Sequence, residues 1–330
     1  MQTPFTPELP GTVELEAVDI ARGVQPRWAP YLFLAPFLAW LVAFALFPLL
    51  FTLYLSFHSW EAASGLSSMQ FVGWSNYQFN LTDPWFWKSL GNTLWLAAVS
   101  GLPQHVVALP LAFFLHTSFR RWRDLVVGIY FLPFITSTVA IALIFSALFS
   151  TDYGLINQGL DALHRVPLLG ALFPAEHVDW LNHAAYVKPA VALVVFWRFL
   201  GWNTVLYLSA MQTIPEELYE AAALDGTSRW RQFWHITVPL VRPMMFFAVT
   251  LTLIGGLQLF EEPFILTPDG RGGSDNAAMT TAMYLYRTAF DFGEMGTAAA
   301  LSWLLLVIIA GLTWLNNRVF VHSGLKESES

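Results

Sequence analysis

From Thr213 to Pro239 the chain reads T-I-P-E-E-L-Y-E-A-A-A-L-D-G-T-S-R-W-R-Q-F-W-H-I-T-V-P. This polar stretch lies between two long apolar runs, and its reading decides that of the whole chain. Thr213 and Glu216 have the spacing of a capping box, and Pro215 suits a first helical turn. Glu217, Glu220 and the alanines 221–223 favour helix. Gly226 can take the left-handed conformation that ends a helix. Thr227 or Ser228 can then cap a second short helix, and Pro239 opens the next run. The spacing predicts a helix-turn-helix lying along a membrane surface. Its small alanine face lets a partner approach closely, and Glu220 and Asp225 offer charge to pair with.

The flanking runs predict the solvent. Of 330 residues, 56% are hydrophobic and only 12% charged, against about 25% charged in a soluble domain, and the mean hydropathy is +0.52. Spanning about 30 Å of hydrocarbon takes around 20 apolar residues. Six runs meet that length: 31–55, 94–115, 125–149, 189–210, 238–260 and 295–315. Several hold prolines, which membrane helices tolerate where neighbours satisfy the freed carbonyls. The runs are continuous, unlike the short alternating segments of a β-barrel. The fold expected is an all-α membrane protein of six transmembrane helices. A polar tail over 1–28 precedes a membrane domain over 29–316, with its core at about 91–316 and the loop at 213–239. A second tail covers 317–330. The first run, from Ala29, is too long for a signal-peptide core of about 7–15 residues and reads as a retained span.

Basic residues set the orientation. Arg22, Arg27, Arg120, Arg121, Arg123, Arg229, Arg231, Arg242, Arg318 and Lys326 fall on one side. Lys88, Arg165, Lys188, Arg271 and Arg287 fall on the other, a ratio of ten to five. Both termini and the 213–239 loop are expected in the cytoplasm. The three opposite loops carry Trp60, Trp74, Trp85, Trp87, Trp180, Tyr284 and Tyr286. These rings suit anchoring at the lipid interface, and a docking surface for an external protein is the other reading.

The segment E-A-A-A-L-D-G from Glu220 to Gly226, nine further residues, then I-T-V-P from Ile236 to Pro239, resembles the coupling-loop signature of ABC-importer permeases, E-A-A-x3-G-x9-I-x-L-P. Val238 replaces the usual leucine and keeps apolar bulk. Other stretches resemble the carbohydrate-importer branch of maltose, lactose and glycerol-phosphate type: F-V-G-W-S-N-Y from Phe71, D-P-W-F-W-K-S-L-G-N-T-L from Asp83, L-Q-L-F-E-E-P-F-I-L-T from Leu257, and the pair Tyr286 and Phe290. The resemblance covers roughly residues 30 to 316. It implies the type I importer permease fold in a bacterial-type inner membrane, with Glu220, Ala221, Ala222, Asp225, Gly226, Ile236 and Pro239 as the ATPase-coupling surface. It further implies a second, similar permease, two ATP-binding ABC subunits and an extracytoplasmic sugar-binding protein as partners.

The residues themselves carry no catalytic or metal site. There is no G-x-x-x-x-G-K-[ST] phosphate loop and no H-E-x-x-H cluster, and the chain has no cysteine. ATP is therefore expected on the partner subunits, with no cofactor on this chain. The chain is not expected to be an enzyme, and its net charge of −7 argues against a nucleic-acid partner. His105, beside Gln104 in the second run, fits interhelical hydrogen bonding.

Arg198 sits near the middle of the fourth run, about 15 Å from either end at ~1.5 Å per residue, and Trp202 shares its face. An arginine beside an indole suits a sugar, through hydrogen bonds to hydroxyls and stacking on the apolar ring face. A structural ion pair or a helix break is the other role open to Arg198. In maltose-type relatives the fourth and fifth spans line the cavity. The resemblance therefore adds Thr252 and Gln258 to Arg198 and Trp202. Glu261 and Glu262, at the outer end of the fifth run, stay open between a sugar contact, a binding-protein contact and an interface marker. Two rivals fit less well. An ion-driven transporter needs carboxylates along its path, and a membrane enzyme needs clustered polar groups at one depth. Within the importer family, glycerol-phosphate or another non-sugar solute is the alternative substrate.

Overall fold

The computed structural model of the protein describes residues 28–119, 121–166 and 176–325. The expected N-terminal tail lies outside them except for Trp28, as do Arg120 and Lys326. The chain divides into two compact units, residues 1–52 and 53–330. The described part of the first is helical. It holds α1 (Ala29–Leu41), a π-helical stretch at Val42–Leu46, and α2 (Phe47–Leu55), which ends in the second unit. The widened turn lies just before Pro48, which withdraws its donor from the helical ladder.

The second unit opens with a small antiparallel pair, β1 (His58–Ser59) and β2 (Gln70–Phe71), followed by α3 (Ser75–Thr82) and α4 (Pro84–Thr117). Then come α5 (Arg123–Ile135), α6 (Thr138–Leu148), α7 (Leu155–His164) and α8 (Ala184–Met211). The 213–239 loop contains α9 (Glu216–Leu224), α10 (Arg229–Gln232) and a π-helical turn at Phe233–Thr237, and runs into α11 (Val238–Leu240). The chain finishes with α12 (Arg242–Leu257), α13 (Glu261–Leu266), α14 (Thr281–Tyr286) and α15 (Met295–Leu325).

Among the described residues, four helices are long and apolar enough to cross a membrane: Tyr31–Leu55, Pro84–Thr117, Ala184–Met211 and Met295–Phe320. Two further pairs qualify only jointly, α5 with α6, bent by 95°, and Arg229–Leu240 with α12, bent by 72°. The third run, expected as one continuous span over 125–149, is thus an elbow. Pro133 cannot donate within α5, and Thr136 and Ser137 leave the helical region with ψ of 148° and 130°. Packing holds the bend. A Cβ at Gly201 of α8 would lie 1.7 Å from the Tyr130 carbonyl oxygen of α5, so the two backbones touch there, whereas α6 packs on α13. The fifth run starts at Arg242 rather than 238, because the chain turns at Val241 and Pro243 occupies the first turn of α12.

The core lies along α4 and α8. Leu96 and Ala108 from α4 meet Val187, Val194 and Tyr207 from α8, all fully buried. His105 bridges the same helices, its Nδ1 2.7 Å from the Tyr207 hydroxyl. Asparagines join segments far apart in sequence. The Asn76 amide donates to the Ser56 and His58 carbonyls at 2.9 Å, and that of Asn80 to the Thr297 carbonyl at 3.0 Å. Asn92 reaches Met279 at 3.0 Å, and the Thr93 hydroxyl accepts from the Thr281 backbone N–H at 2.8 Å. These bonds satisfy backbone groups between α2 and α3, just before α14, and in the first turns of α14 and α15.

Candidate transport path and coupling loop

The elbow between α5 and α6 opens a trough of about 650 Å³. Phe134, Thr136, Ser137 and Thr138 form one wall, with Arg198, Glu261 and Phe264 opposite. Ser137 makes no side-chain cap to the first turn of α6, so the backbone N–H groups of that turn have no partner from it. Arg198 Nη1 donates to Glu262 Oε1, with side-chain exposures of 13% and 5%. The ion-pair role left open for Arg198 is therefore occupied, although its side chain still lines the trough. Its guanidinium carbon lies 5.4 Å from the centre of the Phe199 ring. Glu261 is exposed at the rim, and Glu262 turns inward.

One turn further along α8, Trp202 stacks on Phe134 with ring centres 4.4 Å apart and planes 20° from parallel. It lines a smaller pocket of about 90 Å³ with Ser100, Gln104 and Thr252. Gln104 is held there by the Asn203 amide at 2.9 Å. Trp202 and Thr252 thus share one pocket, Arg198 and Glu261 line another, and Phe134 stands between them. Gln258, exposed at the end of α12, lines neither. Sequence reading missed Ser100, Gln104 and the 136–138 elbow. A polar triplet inside an apolar run was the signal for the elbow, and a glutamine in the second run was the signal for Gln104.

The 213–239 loop is built differently at its start from the expected capping box. Thr213 Oγ1 donates back to the Ala210 carbonyl at 2.8 Å, and α9 begins after Pro215 with no side-chain cap. Glu216 and Glu217 in its first turn offset the helix dipole instead. Its end matches the expectation. Gly226 has φ +73°, its N–H donates to Ala223 at 3.0 Å, and the Thr227 N–H donates to Ala222 at 2.9 Å. This is the paired closure of a Schellman motif. Ser228 caps α10 by accepting from the Arg231 N–H at 3.4 Å.

Behind this turn the two limbs are clasped. The hydroxyls of Tyr219 and Thr237 lie 2.8 Å apart, and the Gln232 amide donates to the Tyr219 and Thr227 carbonyls at 3.4 Å. Burial raises the Tyr219 pKa, and the Thr237 hydrogen bond partly offsets the shift. The outward face carries Glu220, Ala221, Asp225 and Gly226, with Leu224 90% exposed at the tip. Ala222 and Ile236 are half-buried, and Pro239 is exposed. Glu220, Ala223 and Arg229 border a cleft of about 270 Å³ against His116 and Thr117 at the end of α4.

Similarity to known proteins agrees with this arrangement. The lactose transport system permease protein LacF of Rhizobium radiobacter is 32% identical over 86% of this chain and 91% of its own length. The arabinooligosaccharides transport system permease protein AraP of Bacillus subtilis (strain 168) is 33% identical, over 85% of each chain. A chain in the crystal structure of a bacterial alginate ABC transporter, in complex with its alginate pentasaccharide-bound periplasmic protein, has the same fold. Its TM-score is 0.77 at 21% identity, over 92% of this chain and 98% of that one. Residues 108–320 match the family described as binding-protein-dependent transport system inner membrane component. With that match over more than half its length, the chain belongs to this family, the permeases of ABC transporters.

Proposed function

We propose that the chain is one of two permeases in an ATP-driven sugar importer. It pairs with a second, similar permease over two ABC ATPase subunits, and an extracytoplasmic binding protein delivers the sugar. In this reading it crosses a bacterial-type inner membrane six times, the α5–α6 elbow counting as one span and α12 as another. Both termini and the 213–239 loop face the cytoplasm. ATP-driven closure of the ATPase pair pulls on the loop and shifts the population between inward-open and outward-open states. Arg198, Trp202, Thr252, Glu261 and Glu262 line or frame the sugar path on this chain, and Gln258 lies at its outer margin. Membrane lipid is the surrounding solvent, and no cofactor is bound by the chain itself.

The observation that carries this reading is the loop itself. Its helix α9 ends at left-handed Gly226, is clasped from behind through Tyr219, and turns Glu220, Ala221, Asp225 and Leu224 outward beside the end of α4. A loop so rigidly backed and so exposed at its tip suits force transmission. The names of the lactose and arabinooligosaccharide relatives support the sugar.

Two experiments test it. The chain, reconstituted in proteoliposomes with its ATPase, second permease and binding protein, should hydrolyse ATP faster with sugar-loaded binding protein. Uptake that runs on an ion gradient without ATP overturns the reading. Because the chain has no cysteine, single cysteines at Ser118, Ser228 and Ser274 report topology without background. An impermeant thiol reagent outside intact cells should label Ser274→Cys alone.

A further inference from the structure

We infer that the path through this chain is selective for uncharged saccharides over acidic ones, and that the three charged groups at the elbow set this preference. The inference rests on the sugar reading above and deepens it to a substrate class.

The smaller pocket, lined by Ser100, Gln104, Trp202 and Thr252, has no charged residue in its wall. The trough has two, Arg198 and Glu261. Arg198 is already matched by Glu262, which is nearly fully buried behind it. The guanidinium edge that lines the trough therefore offers a solute hydrogen-bonding capacity but no uncompensated positive charge. The Glu261 carboxylate remains at the exposed rim. The uncapped first turn of α6 contributes only about half a positive charge, which does not reverse the sign. An incoming uronate, sulfonate or phosphate would thus lose its hydration against a wall of net negative charge, and like charges brought together strongly disfavour the wrong ligand. A neutral sugar meets a complementary surface. Hydroxyls meet the uncapped first turn of α6 and the guanidinium edge, while Phe134 and Trp202 present stacked ring faces.

The test is binding of matched trisaccharides that differ only at C6, where one series carries CH₂OH and the other carboxylate. Galactotriose, maltotriose and mannotriose are set against their uronates, with quenching of tryptophan fluorescence in the assembled transporter as the readout. The neutral member of at least one pair should bind about tenfold or more tightly than its uronate. Glu261→Gln should shrink that ratio several-fold. Glu262→Gln, which frees the Arg198 charge, should shrink or invert it. Since Glu262 is buried and its loss can lower the yield of complex, the exposed Glu261→Gln variant decides the matter alone. Equal or tighter binding of the uronates by the wild-type complex overturns the inference and leaves the sugar reading standing. So does a ratio unchanged by Glu261→Gln. Failure of every trisaccharide in both series overturns the sugar reading and this inference with it.

Discussion

Tyr219 and Thr237, eighteen residues apart, close the 213–239 loop through a pair of buried hydroxyls 2.8 Å from one another. Thr237 is fully buried, so removing only its partner leaves a hydroxyl with no water to turn to. Tyr219→Phe should destabilise the loop by about 1–2 kcal/mol, and adding Thr237→Val should restore most of the loss. The melting midpoint of the purified transporter, measured for both single variants and the double, checks this. Additive losses would count against the clasp.

At Gly226 the cost is purely in the backbone. It has φ +73°, and a side chain there would meet nothing within 4 Å. Gly226→Asn should keep stimulated ATP hydrolysis, since asparagine tolerates this conformation. Gly226→Val should lose about 1–2 kcal/mol of local stability and most of the stimulation. Equal activity in the two variants would show that the turn geometry is irrelevant to coupling.

Gly201 presents the reverse situation, a helical glycine with no room. A Cβ would lie 1.7 Å from the Tyr130 carbonyl oxygen. Gly201→Ala must therefore push α5 off α8, and an overpacked site of this kind typically costs about 1–3 kcal/mol. The yield of assembled complex should fall sharply, whereas Gly128→Ala on α5, with open space around it, should leave it intact.

Arg198 and Glu262 should behave as a unit. Removing one member of a buried ion pair strands the other, at a cost of about 3–5 kcal/mol. Arg198→Gln alone should lower the amount of folded complex, and Arg198→Gln with Glu262→Gln should recover it. Quantifying complex through a tagged ATPase subunit reads this out. A double variant no better than the single would dissolve the pairing.

His177 gives a pH dependence. Its pKa is raised, first by the hydrogen bond to Asp161, 3.0 Å away, and then by one to the Thr151 carbonyl. A histidine shifted upward contributes stability that is complete below its unfolded value of about 6.5 and is lost as pH rises through the folded value. Amide exchange in α7, corrected for intrinsic rates, should accelerate as pH rises above about 6.5. In His177→Gln that acceleration should vanish.

Much of this was legible in the residues, for identifiable reasons. Gly226 and the alanines before it follow local rules of helix ending that need no distant partner, and so α9 and its Schellman turn could be read directly. The apolar runs announce α4, α8 and α15 because composition alone decides them. The elbow at Thr136 and Ser137 escaped because hydropathy continues across it, and one proline is no guide where membrane helices tolerate many. Thr213 met the capping-box spacing but spent its hydroxyl on Ala210. Arg198 was visible as a charge out of place. Its partner Glu262, sixty-four residues later, was not, since only the packing of α13 brings the two together.

The elbow also bears on how long a solute stays. Peptide groups released where the helix breaks must find hydrogen bonds, and at membrane depth such backbone persists only inside protein or beside water. On the proposed six-span reading, the open trough at 136–138 is the water-lined case. A passing solute exchanges one set of hydrogen bonds with water for another with the chain, and gains little by the exchange. On the proposed path, the trough then sorts solutes by which ones it disfavours, not by holding long those it admits.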